Sequence, residues 1–515
     1  MRKCVILLLL LFSIGILVFA TGARQPSSSG TGPVNLTIFY SDNPTLPFRQ
    51  DWLTIRKAEE LFNVRVNYEV IPLADFTTRV SLALNTGVNT PDVVTVQSMG
   101  GDNLALAQNG AILPISDYSS WTPNFNTRVS EYGLRADVDK EKLRDGKLYY
   151  LPALYDAPFY DAGLVLREDL LARYNMTAPK TFDELGNFLR AYKRDNPSSY
   201  PLTVTIGPRV LYRFSQPAWG FTLHRSAPGG GRVLSWDYDR NTFFAAATSD
   251  QYRAYLRYFN RWYADGLLDP EMADPVNGDI MNRKMATGAA IATYAWYDQI
   301  GGMSSASTIP GFKLNMYPPL EGPAGAHTWH KDKVGAGILF PIAVNRRADF
   351  ERVIRAVDNM FYSKEAELLW CLGVEGETYT MQGGSHRFID SIVNSPDGTY
   401  KTMQIRYGCG TATLQYIWNN AREMTKYDDN YAQINKAVAA MPGAMQSLWP
   451  TPRYSNPVDA ERAASLQGTL YDAWLVWDND FLTGARSLDR DWDAYVADMN
   501  SKGISELLRL FNNNL

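Results

Sequence analysis

Val34-Asn35-Leu36-Thr37-Ile38-Phe39-Tyr40 alternates in the manner of a half-buried strand, and Val64 to Val70 alternates again. Between them, the polar and Pro-rich Ser41–Phe48 stretch breaks the first strand. Asp51 to Phe62 then places Trp52, Ile55, Ala58, Leu61 and Phe62 at helical spacing. A strand–helix–strand unit of this kind implies a parallel pair joined by a right-handed crossover. A second helix, Phe76–Leu84, leads to Pro91-Asp92-Val93-Val94-Thr95-Val96, an apolar run suited to a strand buried on both faces. The same grammar continues downstream. Leu164–Leu166 reads as a strand, and Thr181-Phe182-Asp183-Glu184 as a capping box opening a helix through Tyr192. Gln251–Tyr263 and Phe350–Tyr362 read as helices, Ala289–Thr293 and Val334–Val344 as strands, and Asp491–Phe511 has helical spacing. The fold class is α/β with more than one sheet.

At 515 residues the chain exceeds what one core needs, and two lobes of roughly 200–250 residues are expected. Fifty Lys and Arg against 54 Asp and Glu leave a net charge of −4, without the basic excess of a nucleic-acid binder. Thirteen Trp and 30 Tyr supply flat rings of the kind that stack on sugar C–H faces while still donating hydrogen bonds. Arg2 and Lys3 precede an apolar run from Val5 to Phe19, and small residues follow at Ala20, Gly22 and Ala23. Residues 1–23 therefore read as a signal peptide and 24–33 as a flexible leader. Cys4 lies ahead of the apolar run, where it cannot be a lipidated cleavage-site cysteine. Free export, periplasmic or extracellular and without membrane insertion after cleavage, is expected. Cys371 and Cys409 would survive cleavage, bonded or not. Four scattered histidines, among them His327 and His330 without a third partner, give no metal cluster, and no cofactor is expected. No GxSxG, HExxH or GxGxxG context points to catalysis.

In open sheets, ligands collect beyond the carboxyl ends of strands. That rule selects Tyr40, Asp42 and Asn43, then Gln97, Ser98 and Asp102, and then the segment from Tyr294 to Asp298. Alternation puts Tyr294 and Trp296 on one strand face, so that both either reach the ligand or pack between lobes. Trp219 and Trp449, each in a Pro-flanked loop, could line a cleft or simply pack.

Several collinear segments resemble the type II periplasmic binding proteins of the extracellular sugar-binding group, in particular their large LplA-like branch. They are Pro91–Val94 with Gly110–Ile115, Asp145–Pro152, Leu166–Leu171, Pro179–Leu185, Tyr263–Glu271 and Gly373–Tyr379. The resemblance implies a two-lobed clamshell with a ligand cleft between discontinuous lobes. Lobe one would hold residues 34–155 and 337–381, and lobe two 159–333 and 390–515, with hinge crossings at 155–161 and 334–337. It implies a monomer that binds a carbohydrate and is met by the membrane subunits of an ABC importer. At the first crossing Tyr155 and Tyr160 would stack on sugar and Asp156 would accept its hydroxyls. Two carboxylates there, Asp156 and Asp161, also invite a glycosidase reading. Ala292–Asp298 is similar to the strand end that carries aromatic rings to the sugar in maltose-type proteins, which adds Trp296 and Asp298 to the site. Many members of the branch carry an acidic, calcium-type loop after the helix opened by the Thr181 cap. Here that loop reads Arg194-Asp195-Asn196-Pro197-Ser198-Ser199-Tyr200, with one carboxylate where calcium wants six or more oxygens, and no metal is expected. A peptide or another polar solute, or a sensory role in place of transport, fits the same fold.

Overall fold

The structure is a computed structural model. It describes residues 32–515 except 43–46, 96–105, 144, 158–159, 205–207, 224–232, 274–277, 330–332, 396, 412, 420–421, 423–428, 447–448, 451, 453 and 455. The signal peptide, most of the leader and His330 lie outside the described residues. Among the described residues no helix is long and apolar enough to cross a membrane.

The chain first lays down β1 (Val34–Asp42), β2 (Val64–Pro72), β3 (Val93–Thr95) and β4 (Tyr150–Tyr155). It then builds β5 (Ala162–Arg167), β6 (Ala292–Trp296) and β7 (Leu314–Tyr317), and returns for β8 (Val334–Leu339) and β9 (Ile417–Trp418). β1 and β2 pair in parallel over nine residues, Val34 opposite Val64 through Asp42 opposite Pro72, with helix Leu53–Phe62 between them. That helix buries Ile55, Ala58 and Phe62 of the expected stripe together with Leu53, while Leu61 is 54% exposed. The sheet of lobe one has the order β9-β4-β8-β3-β1-β2. β8 runs antiparallel to both β3 and β4 and lies between them. A bulge separates Gly335 from Gly337, and a Cβ on Gly337 would stand 2.0 Å from the Leu151 carbonyl oxygen. Only glycine fits this approach of β8 to β4.

Lobe two carries the three-stranded antiparallel sheet β6-β5-β7. One face meets a core centred on helices Phe182–Asp195, Asp250–Ala264 and Pro457–Thr483. Trp262, Trp474, Tyr212, Tyr252, Tyr255 and Tyr495 are fully enclosed in it, so much of the aromatic content is structural. The other face packs on helices Gly278–Thr287, Asp298–Ser305 and Asp429–Ala440.

The boundary expected at residue 390 is corrected. Trp418 pairs with Tyr155, Leu414 to Trp418 join the first core, and Trp52 Nε1 donates to the Ile405 carbonyl at 2.8 Å. Residues 390–418 therefore belong to lobe one. The chain crosses between lobes a third time after Trp418, and Val334 is already paired with Leu154, so the second crossing precedes it. The terminal segment of helical spacing forms two helices, Trp492–Ser501 and Ile504–Asn512, broken at Gly503 with φ 96°. Cys371 and Cys409 are thiols buried in one small apolar cluster with Leu372, Tyr379 and Phe388.

Candidate ligand-binding cleft

All three crossings leave lobe one from the same end of three adjacent strands: the C-terminal ends of β4 and β9 and the N-terminal end of β8. The Tyr155 amide donates to the Lys333 carbonyl at 2.9 Å, and the Asp156 amide to the Trp418 carbonyl at 3.1 Å. These bonds bind the crossings into one hinge. Tyr155 and Trp418 project side by side from it, with ring centroids 5.6 Å apart and planes 14° from parallel. Gly335 leaves room for the Tyr155 ring, whose Cε2 would be 3.4 Å from a Cβ there. Asp156 is half-buried beside the rings, within electrostatic reach of Tyr132 and Arg422. Arg422 pairs with the buried Glu367 carboxylate, which also holds Arg128 at 3.2 Å. Burial is the largest influence on the Arg422 guanidinium and lowers its pKa.

Lobe two presents the matching edge. Ala162 of β5 pairs with Trp296 of β6, so Trp296 stands where the first crossing ends. Its ring is half-buried, with the Arg213 guanidinium 5.5 Å from its centroid. Tyr294, two residues earlier on the same face, lies 5.7 Å from Phe214 in a stacked pair. Burial is the main reason its hydroxyl pKa is pushed up to about 12. Tyr160 is buried, and its hydroxyl donates to the Tyr317 carbonyl at 3.0 Å. The ring folds back under Gly163, where a Cβ would meet its hydroxyl oxygen at 2.0 Å. Asn435 then fastens Tyr160 to the helix that follows the third crossing. Its side chain accepts from the Tyr160 amide at 2.7 Å and donates to the Tyr160 carbonyl at 3.1 Å.

The sequence-selected residues thus divide. Asp156 and Trp296 sit half-buried at the hinge edges, whereas Tyr155, Tyr160 and Tyr294 are buried behind them. Tyr40 is 3% exposed, packed against Phe48 and Tyr68 in lobe one, and burial pushes its hydroxyl pKa up to about 12. Asp42 accepts the Phe48 amide at 2.8 Å. Trp219 is enclosed by Phe182, Tyr255, Tyr258 and Phe259, and Trp449 packs on Phe243, both within the core of lobe two. Asp298 opens the helix after β6. Asn43, Gln97, Ser98 and Asp102 lie outside the described residues. Trp418 and Arg213 were not selected from the sequence. Trp418 belongs to a two-residue strand that exists only by pairing with β4, and Arg213 is one basic residue on an amphipathic helix.

The loop compared above with calcium loops is filled by the chain itself. Asp195 accepts the Tyr174 hydroxyl at 3.0 Å, and Lys193 Nζ donates to the Ser199 carbonyl at 2.6 Å. The lysine ammonium also lies 4.8 Å from the Tyr200 ring centroid. One carboxylate, already engaged, beside a resident ammonium does not fit a divalent cation.

Residues 54–417 match the family model of bacterial extracellular solute-binding proteins. The polygalacturonan/rhamnogalacturonan-binding protein YtcQ of Bacillus subtilis (strain 168) is 24% identical over 393 residues, covering 73% of this chain and 74% of that protein. Among solved structures, the alginate-binding protein AlgQ2 superposes with a TM-score of 0.77 at 18% identity, covering 95% of this chain and 99% of that one. The FusA substrate-binding protein of S. pneumoniae, in complex with kestose, gives 0.72 at 17% identity over 93% and 98%. With a two-lobed fold and a family match across most of its length, the chain belongs to the bacterial extracellular solute-binding proteins, an exported family.

Proposed function

We propose that this protein captures an oligosaccharide between its lobes, without turning it over, and delivers it as a monomer to the membrane subunits of an ABC importer. The observation that carries the reading is the pair of aromatic edges at the hinge. Tyr155 and Trp418 form a near-parallel stacked pair, mostly buried, on one side and Trp296 stands on the other, with polar groups at each. The stacked pair presents only its outer rim to a sugar, the half-buried Trp296 ring a face, and Asp156 a carboxylate to sugar hydroxyls. The Arg213 guanidinium beside Trp296 favours sugars bearing carboxylates. This agrees with the names of YtcQ and AlgQ2, which bind acidic polysaccharides. Since both edges touch the ligand, it binds the closed form better and shifts the population towards it. A preference of roughly a hundredfold is worth about 2.7 kcal/mol, within reach of one stacked ring and a few hydrogen bonds.

The test is a thermal-shift and calorimetric screen of the exported protein against oligogalacturonides, alginate oligomers, neutral fructo-oligosaccharides and peptides, with the saccharides analysed afterwards for cleavage. A selective rise in Tm with one intact oligosaccharide is the expected result. A response to peptide alone would remove the carbohydrate claim, and shortened sugars would make the protein an enzyme.

A further inference from the structure

Away from the hinge edges, a groove of about 310 Å3 lies where the two lobes meet. Asn282, Arg283 and Thr287 line it from helix Gly278–Thr287, Gly302 from the next helix of lobe two and Ala306 just past its end, and Lys401 from lobe one. Thr287 precedes β6, at the opposite end of that strand from Trp296, so the groove is distinct from the proposed sugar site. Lys401 is anchored in lobe one through its neighbours. Met403 lies in the cluster of Cys371 and Cys409, and Thr54 Oγ1 donates to the Tyr407 carbonyl at 2.6 Å. The lobes touch beside the groove, since a Cβ on Gly301 would lie 4.0 Å from the Asp397 carbonyl oxygen and the Gly398 Cα.

Among the described side chains the groove wall holds two cations from different lobes and no carboxylate. Among the described residues neither Arg283 nor Lys401 forms an ion pair. Among the described side chains, Asp397 pairs with Arg406 at 3.7 Å, and Asp269 and Glu271 with Lys284. Asn282 Oδ1 is buried with no hydrogen-bond donor among the described residues. A guanidinium fork, an ammonium with three donors and an amide able to present its NH2 make a donor set for an oxyanion. Closing the lobes on two like charges is unfavourable until such an ion sits between them.

We propose that this groove is a second ligand site, for a small oxyanion (sulfate, phosphate or a carboxylate), which ties Arg283 of lobe two to Lys401 of lobe one. Because it bridges the lobes, the anion favours the same closed state as the sugar. By linkage, each ligand tightens the other.

The test titrates the exported protein with sodium sulfate, sodium phosphate or sodium acetate against sodium chloride at constant ionic strength. Melting temperature is read first, without sugar. A saturable rise with at least one oxyanion is expected, absent with chloride and lost in the Arg283→Gln/Lys401→Gln double variant, whose exposed positions leave both cores intact. No saturable rise would overturn the proposal. So would a rise equally present in the double variant, since anions also stabilise folded proteins by exclusion from their surface. A second readout is the Kd of whichever oligosaccharide the screen identifies. It should fall severalfold with the effective anion in the wild-type protein and stay unchanged in the double variant. The melting titration stands without any sugar, so failure of the carbohydrate reading and failure of this one are told apart.

Discussion

Trp296 and Trp219 carry the same side chain, and the structure gives them opposite work. Trp296 is half-buried at the hinge edge beside Arg213, whereas Trp219 is surrounded by four aromatic residues of the lobe-two core. Trp296→Ala is expected to weaken oligosaccharide binding about tenfold or more while changing Tm little. Trp219→Ala is expected to cost about 3–5 kcal/mol of stability, seen as a large fall in Tm. Calorimetry and thermal melts on both variants check the pair, and a destabilised Trp296→Ala would move that residue from site to core. Asp478 is the other informative residue. It is buried, with no cation paired to it among the described residues, and accepts hydrogen bonds from the hydroxyls of Tyr212 and Tyr252. Burial outweighs those bonds and pushes its carboxyl up from 3.8 to about 6. Since the folded-state pKa is the higher one, its contribution is complete below about pH 4 and lost as pH rises through 6. The loss amounts to about 3 kcal/mol. Asp478→Asn should flatten the stability profile between pH 4 and 6 in urea titrations. An unchanged slope would assign the pH dependence to other groups.

At the scale of elements, most of what the sequence announces is local. The β1–helix–β2 unit, the helix Phe350–Tyr362 and the Thr181 cap were legible because periodicity and capping chemistry are written in consecutive residues. Thr181 Oγ1 accepts the Glu184 amide at 3.1 Å, and the Glu184 carboxylate accepts the amide of Lys180, one residue earlier than a reciprocal box requires. What was not legible is pairing over distance. β9 is two residues long and has no pattern of its own, which concealed both the third crossing and Trp418. β8 is strand only as far as Leu339, although the apolar pattern runs to Val344, because Ile342–Arg346 turns into a 3-10 helix. The fit of β8 against β4 rests on one missing side chain. Gly337→Ala is expected to lower stability by at least about 2 kcal/mol, measured as a shift of the urea midpoint. An unshifted midpoint would mean that the bulge relaxes freely around the Leu151 carbonyl.

For the whole molecule, three bundled crossings set a hinge whose strands are hydrogen-bonded to one another on the lobe-one side. The lobes should therefore move as rigid bodies about one axis. Small-angle scattering is expected to show a smaller radius of gyration on saturation with the cognate sugar, and an unaltered radius would exclude closure as the binding mechanism. The place of β8 between β3 and β4 has a further consequence, for the route by which such a protein leaves the cell. As the chain emerges from its N-terminus, β3 and β4 have no common edge to share. The gap between them stays open until residue 339 arrives, and the far border until Trp418. A chain threaded in that order cannot finish its first domain early. Its six-stranded sheet closes only once about four fifths of the chain has been made.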